Sequence, residues 1–133
     1  MQMEIFFEDG KKVNADFNGH IIKTDQPIQA GGGGTAPAPF DLFLASIGTC
    51  AGIYVKSFCD QRGIPSDKIR IIQTMEYNQE TRLIGSIKLE IKLPADFPEK
   101  YKDAVINSAN LCTVKKHLLN APEIKVTAVL NQL

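Results

Sequence analysis

A chain of 133 residues, 44% hydrophobic and 23% charged, is long enough to bury a core without metals or disulfide staples and has the make-up of one globular domain. Its 15 Lys and Arg balance 15 Asp and Glu, which leaves no basic surplus to neutralise phosphates, so nucleic acid is not expected as a partner. No apolar run reaches the roughly 18 residues that span a bilayer, and the acidic, alternating start "MQMEIFFEDGKK" is not a basic segment followed by an apolar one; a cytoplasmic protein with no membrane partner is the expectation.

The N-terminal part reads as a β-meander. "MEIFFE" and "KKVNADF" flank Asp9-Gly10, and Asn18-Gly19 separates "VNADF" from "HIIKTD"; both dipeptides predict type I′ hairpin turns. The stretch "QPIQAGGGGTAPAP" follows, and its Gly, Pro and Ala content makes it a loop. Four glycines in a row suggest a phosphate cradle, but no Lys-Ser/Thr follows and no buried strand feeds them, so a mobile loop is the better reading. From Phe40 the period changes: Phe40, Phe43, Leu44, Ile47, Ala51, Tyr54, Val55 and Phe58 recur at steps of three and four and form one apolar helix stripe. Pro39 and Asp41 suit its first turn, and Gly63 with Pro65 ends it. "KIRIIQTMEY" and "RLIGSIKLEIKL" predict an antiparallel pair joined at "NQET", with Ile87, Leu89, Ile91 and Leu93 alternating with polar residues as in a sheet with one wet face. A second helix is expected from Pro98, with Tyr101, Ala104, Val105, Ser108 and Cys112 as its inner stripe and a break near Asn110 before "CTVKKHLLNAP"; "EIKVTAVL" closes the chain as a strand. Strands, helix, strands, helix and strand in this order make one α+β domain over residues 1–133, without repeats or a domain boundary.

Three Cys with no CxxC, and two His far from them in sequence, give neither a disulfide framework nor a metal-ligand spacing, so no metal or cofactor is expected. Cys50 and Cys59 lie nine positions apart on one helix and so face opposite sides of it, which excludes a bond between them while the helix is intact. Cys59, next to Asp60, reads as structural. Cys50 lies among Ala45, Ser46, Gly48, Thr49, Ala51 and Gly52, small residues that let another backbone approach closely. It is either core filling, since free Cys is among the most buried residue types, or half of a redox pair with Cys112, whose sulfur the sequence alone does not place.

"GGGGTAPAPFDLFLASIGTCAGIYV" resembles the segment of the OsmC/Ohr family in which a Gly-rich loop and a Pro lead into the helix bearing the first cysteine. "ANLCTVKKHLLNAPEIKVTAVL" resembles the family's second-cysteine segment and terminal strand, and "NGHIIKTD" and "RLIGSIKLEIKLP" extend the similarity over most of the chain. The resemblance implies an OsmC-like fold, with antiparallel sheets around two long central helices in an intertwined homodimer. It also implies thiol-dependent reduction of organic hydroperoxides, with Cys50 as the peroxidatic thiol, Cys112 as the resolving one and an external thiol as reductant; a thiolate that attacks peroxide oxygen gives a sulfenic acid, which condenses with a nearby thiol. An apolar pocket around Cys50 is expected to favour lipid-like hydroperoxides.

Two positions depart from the peroxidase pattern. No Arg precedes Arg62, where peroxidase members draw on an N-terminal Arg to stabilise the thiolate, and Phe40 followed by Asp41 stands where they carry a Glu. Arg82, His20 and Asp41 are the candidate groups for tuning the thiol instead. A thiol in apolar surroundings without a cation has a raised pKa, so slow peroxide reduction that climbs with pH is expected. A binding protein for a small hydrophobic molecule and a thiol redox sensor are the alternative readings.

Overall fold

The computed structural model describes residues 1–130. Strands β1 (Glu4–Phe7), β2 (Val13–Phe17) and β3 (His20–Ile22) form an antiparallel sheet in chain order. Between β2 and β3 the expected two-residue turn forms: Asn18 and Gly19 take φ of 52° and 77°, as a type I′ turn demands. The β1–β2 turn differs from the expectation. Phe7 pairs with Val13, so the connection is five residues long, and only Gly10 of the Asp9-Gly10 pair has positive φ. Lys12 N–H bonds to the Asp9 carbonyl, closing a β-turn over residues 9–12, and Glu8 N–H bonds to the Lys12 carbonyl, so the turn is one residue longer than a two-residue loop.

Helix α1 (Pro39–Gln61) starts on Pro39, with Asp41 in its first turn. Its end is a Schellman motif: Gly63 at φ 64° sends its N–H to the Asp60 carbonyl at 3.3 Å, and Ile64 sends its N–H to that of Cys59 at 2.9 Å. Arg62 adds an Nη1 bond to the Phe58 carbonyl at 3.1 Å while its guanidinium lies 3.7 Å from the Phe58 ring centre. By length and composition alone α1 could cross a membrane; here one of its faces, Ile47, Ala51, Val55, Phe58 and Cys59, is buried in protein instead.

Strands β4 (Arg70–Asn78) and β5 (Leu83–Lys92) form a separate antiparallel pair, with a register shift between Glu76 and Tyr77. In β5 Ile87, Leu89 and Ile91 are half-buried while Lys88, Glu90 and Lys92 are exposed, the expected alternation. The hairpin turn is held by Asn78, whose side-chain oxygen accepts the Glu80 and Thr81 N–H groups and whose carbonyl accepts that of Arg82 at 2.8 Å. The expected second helix is in two pieces, α2 (Lys102–Ala109) and α3 (Thr113–Leu119), broken at residues 110–112. A 3-10 turn over Glu99–Tyr101 precedes α2. Cys112 is therefore not on a helix stripe; it is the N-cap of α3. The expected closing strand is also absent among the described residues: 123–130 join no ladder.

The chain forms two compact units, residues 1–46 and residues 47 onward. The second has an apolar core of Val55, Phe58, Cys59 and Val105, against which Ile64, Ile69, Ile71, Ile91, Leu93 and Tyr101 pack. The first has none among its described side chains; what it buries is polar, Asn14, Thr24 and Asp25. Asn14 donates to the Glu8 carboxylate and accepts the Thr24 N–H at 3.2 Å, and the Thr24 hydroxyl donates to the Val13 carbonyl. Asp25 clasps the glycine loop, accepting the Gln26 N–H at 2.7 Å, the Thr35 N–H at 3.1 Å and the Thr35 hydroxyl at 2.6 Å. The loop expected to be mobile is thus tied at its centre.

Candidate functional site

Cys50 lies in the middle of α1, half-buried, and the break between α2 and α3 brings Cys112 against it. The two thiols are free and within hydrogen-bonding reach of each other. Two further donors face the Cys50 sulfur, the main-chain N–H groups of Val114 and Thr113 at the start of α3. A helix start leaves its first N–H groups without intrahelical acceptors, so they are available to a sulfur placed there. Cys112 is itself fixed by the same turn, because its sulfur accepts the Lys115 N–H at 3.4 Å.

These contacts set opposite acidities. The Cys50 thiol is lowered from the ordinary value, first by the Val114 N–H, then against the cost of burial by the Cys112 S–H and the Thr113 N–H. The Cys112 thiol is raised, first by its burial, and further by its place beside Cys50 despite the Lys115 N–H. Of the two thiols, Cys50 is therefore the more readily ionised and Cys112 the less. The direction is opposite to the raised Cys50 pKa expected for a thiol without a neighbouring cation, because main-chain N–H donors face the sulfur.

Of the candidate tuning groups, none is among the contacts that shift Cys50. Arg82 sits in the β4–β5 turn with φ 58°, its main chain closing the hairpin. His20 is exposed at the first position of β3, and Asp41 is exposed in the first turn of α1. Cys59 is fully buried in the core, and burial together with Asp60 raises its thiol. It has no part in the pair. Among the described residues no group of three or more His, Cys, Asp and Glu is placed to hold a metal ion.

Three contributors escape a reading of residue types: Val114 and Thr113, which act through main-chain N–H groups, and Tyr54, whose hydroxyl lies 2.9 Å from Thr113 Oγ1. The break near Asn110 is the signal that points to them, since a break followed by more helix implies a new helix start.

A cavity of about 480 Å3 opens beside the pair, between Ile47 and Ala51 of α1, the Ile87, Leu89 and Ile91 face of β5, and Ile106 of α2. Cys112 lines it and Cys50 does not, so the apolar pocket expected around Cys50 opens on Cys112 instead. The small residues of α1 have a local reason as well. A Cβ added to Gly48 would stand 2.5 Å from Gln73 Oε1, so the β4 side chain occupies the space a larger residue would need.

A family model described as OsmC-like protein matches residues 31–127. Among solved structures, the fold is similar to that of a protein from Psychrobacter arcticus 273-4 attributed to the osmotic stress and detoxification response, with a TM-score of 0.72, 19% identity, and 87% of this chain and 86% of that one covered. It is also similar to a hypothetical protein from Aquifex aeolicus VF5, with a TM-score of 0.63, 15% identity, and 90% and 87% of the two chains covered. An organic hydroperoxide resistance protein from Legionella pneumophila aligns with a TM-score of 0.52 at 15% identity over 88% of this chain and 87% of its own. A comparison with curated protein sequences finds no match.

Proposed function

The chain belongs to the OsmC-like protein family, and from that premise we propose that it reduces organic hydroperoxides through Cys50 and Cys112. The observation that carries this reading is the polarised thiol pair, Cys50 lowered and Cys112 raised within hydrogen-bonding reach. The Cys50 thiolate attacks the terminal peroxide oxygen; an S–O bond forms, the O–O bond breaks, and the alkoxide leaves and takes up a proton as the alcohol. The Cys112 sulfur then attacks Cys50, forming the disulfide while the S–O bond breaks and hydroxide leaves as water with the Cys112 proton. An external dithiol supplies two electrons and two protons to restore both thiols. The reading includes a cytoplasmic setting, where such reductants are maintained.

The reading also includes a homodimer. It is supported by a three-stranded sheet whose unit buries no apolar side chain among the described residues, and by Phe7, Tyr77 and Leu83, each at least two-thirds exposed in the single chain at 78%, 72% and 67%. Faces of this kind need a cover.

Consumption of cumene hydroperoxide and of hydrogen peroxide with a dithiol donor tests the proposal. The wild-type protein is expected to turn over the organic substrate faster, and Cys50→Ser to turn over neither; a wild-type protein without turnover refutes it. A second reading, a binding protein for a small hydrophobic molecule, is favoured by the cavity's opening on Cys112 rather than Cys50. Saturable binding of an apolar fluorescent probe by a protein without peroxide turnover is the result that would select it.

A further inference from the structure

Tyr54 stands one helical turn beyond Cys50 and touches the opposite segment twice. Its main-chain carbonyl accepts the Ser108 hydroxyl at 3.0 Å, at the end of α2. Its phenolic oxygen lies 2.9 Å from Thr113 Oγ1, at the first residue of α3. The two ties bracket residues 109–112, the stretch that ends in Cys112. The residue after it, Thr113, holds one end of the Tyr54 tie and also carries one of the N–H groups facing Cys50.

We infer that Tyr54 is a positioning residue for the thiol pair, holding residues 108–114 so that the Thr113 and Val114 N–H groups and the Cys112 thiol face the Cys50 sulfur. The physical reason lies in the weakness of what else holds this segment. α3 buries none of its own side chains, and its cap is a sulfur, a poor acceptor compared with the oxygen of Ser, Thr, Asn or Asp. A seven-residue helix anchored only by its buried Cys112 cap and the half-buried Val114, and capped by a sulfur, gains from a further tie at its start in holding the geometry that a hydrogen bond to sulfur needs. The Tyr54 hydroxyl supplies that fixed point from α1, the helix that also carries Cys50, so nucleophile and donors share one rigid support. The inference rests on the thiol-pair reading of the site.

Alkylation of Cys50 by iodoacetamide as a function of pH tests it, with peptide mapping to follow Cys50 alone. Tyr54→Phe keeps the ring and removes the hydroxyl, and Thr113→Val removes the other end of the same bond at equal shape. Each is expected to move the Cys50 midpoint upward by about half a unit or more, the size of one modest hydrogen bond. The double variant is expected to move it no further, since both changes remove one interaction. Thr113→Ser, which keeps the hydroxyl, is expected to stay near wild type. The charged side chains around the cavity, Lys88 and Glu90 of β5, Lys102 of α2 and Lys115 of α3, are the same in all variants and do not produce the difference. Wild-type midpoints in both Tyr54→Phe and Thr113→Val overturn the inference. If Tyr54→Phe fails to fold, Thr113→Val alone probes the same bond from its other end, and a wild-type midpoint there overturns the inference equally. Lack of peroxide turnover by the wild-type protein refutes the proposed function and leaves the alkylation comparison readable.

Discussion

At Cys50 the thiol is lowered by two main-chain N–H groups and one S–H, with no full charge among the causes. Such donors favour the charged form through hydrogen bonding, and they keep their strength because half-burial limits competition from water. Cys50 is therefore expected to alkylate at pH 7 at least about tenfold faster than Cys59, whose raised pKa and burial act together. Mass mapping after brief alkylation checks this; equal labelling of the two would refute it. Cys112→Ala removes the S–H donor and is expected to shift the Cys50 midpoint upward, whereas Cys59→Ala is expected to leave it in place. The direction follows from the roles: Cys112 lowers Cys50, and Cys59 is not among its contacts.

The glycine loop shows what a single carboxylate does for an element. Asp25 is lowered from 3.8 to about 2, chiefly by the Thr35 hydroxyl and then by the Gln26 and Thr35 N–H groups. A depressed carboxylate contributes stability that is fully present above its unfolded value and is lost as pH falls through its folded one. Asp25→Asn is accordingly expected to lower the thermal midpoint at pH 7, with the gap to wild type closing as pH falls from about 4 to 2; a gap that persists unchanged at pH 2 would count against the carboxylate. Two glycines provide a matched comparison of crowding. A Cβ on Gly32 would stand 2.1 Å from the Gln26 main-chain oxygen, whereas one on Gly48 meets the Gln73 side-chain end at 2.5 Å. Main chain cannot swing aside and a long side chain can. Gly32→Ala is thus expected to cost about 1–3 kcal/mol, and Gly48→Ala less than about 1 kcal/mol, because the gain in helix propensity offsets the displaced Gln73. Denaturant midpoints of the two variants decide the ordering.

For the whole molecule the unsatisfied feature is apolar surface. Residues 123–130 join no strand, and Ile124, Val126 and Leu130 are 83%, 92% and 104% exposed. The sequence nevertheless alternates there as a strand does, Ile124, Val126, Ala128 and Leu130 on one side. A segment with strand patterning and no ladder partner among the described residues is expected to pair in a dimer. Sedimentation at micromolar concentration is expected to give twice the chain mass of 14.6 kDa, and truncation after Asn120 to weaken the association. A folded monomer at that concentration would sink the expectation.

Local rules sufficed wherever the cause was local. The 3.6-residue stripe from Phe40 to Phe58, Pro39 at its start and Gly63 at its end determined α1, and the period-two pattern from Ile87 to Leu93 determined β5. The exclusion of a Cys50–Cys59 bond also followed from helix geometry alone. The five-residue β1–β2 connection, the replacement of Cys112's helix stripe by a cap, and the lack of a closing strand among the described residues depended on which backbone groups find partners across the fold, and side-chain patterns do not encode that. The acidity of Cys50 is the clearest case. Its tuners are chiefly main-chain N–H groups, which every non-proline residue carries, so only the tertiary placement of the α2–α3 break against α1 decided that the Cys50 thiol is lowered and the Cys112 thiol raised.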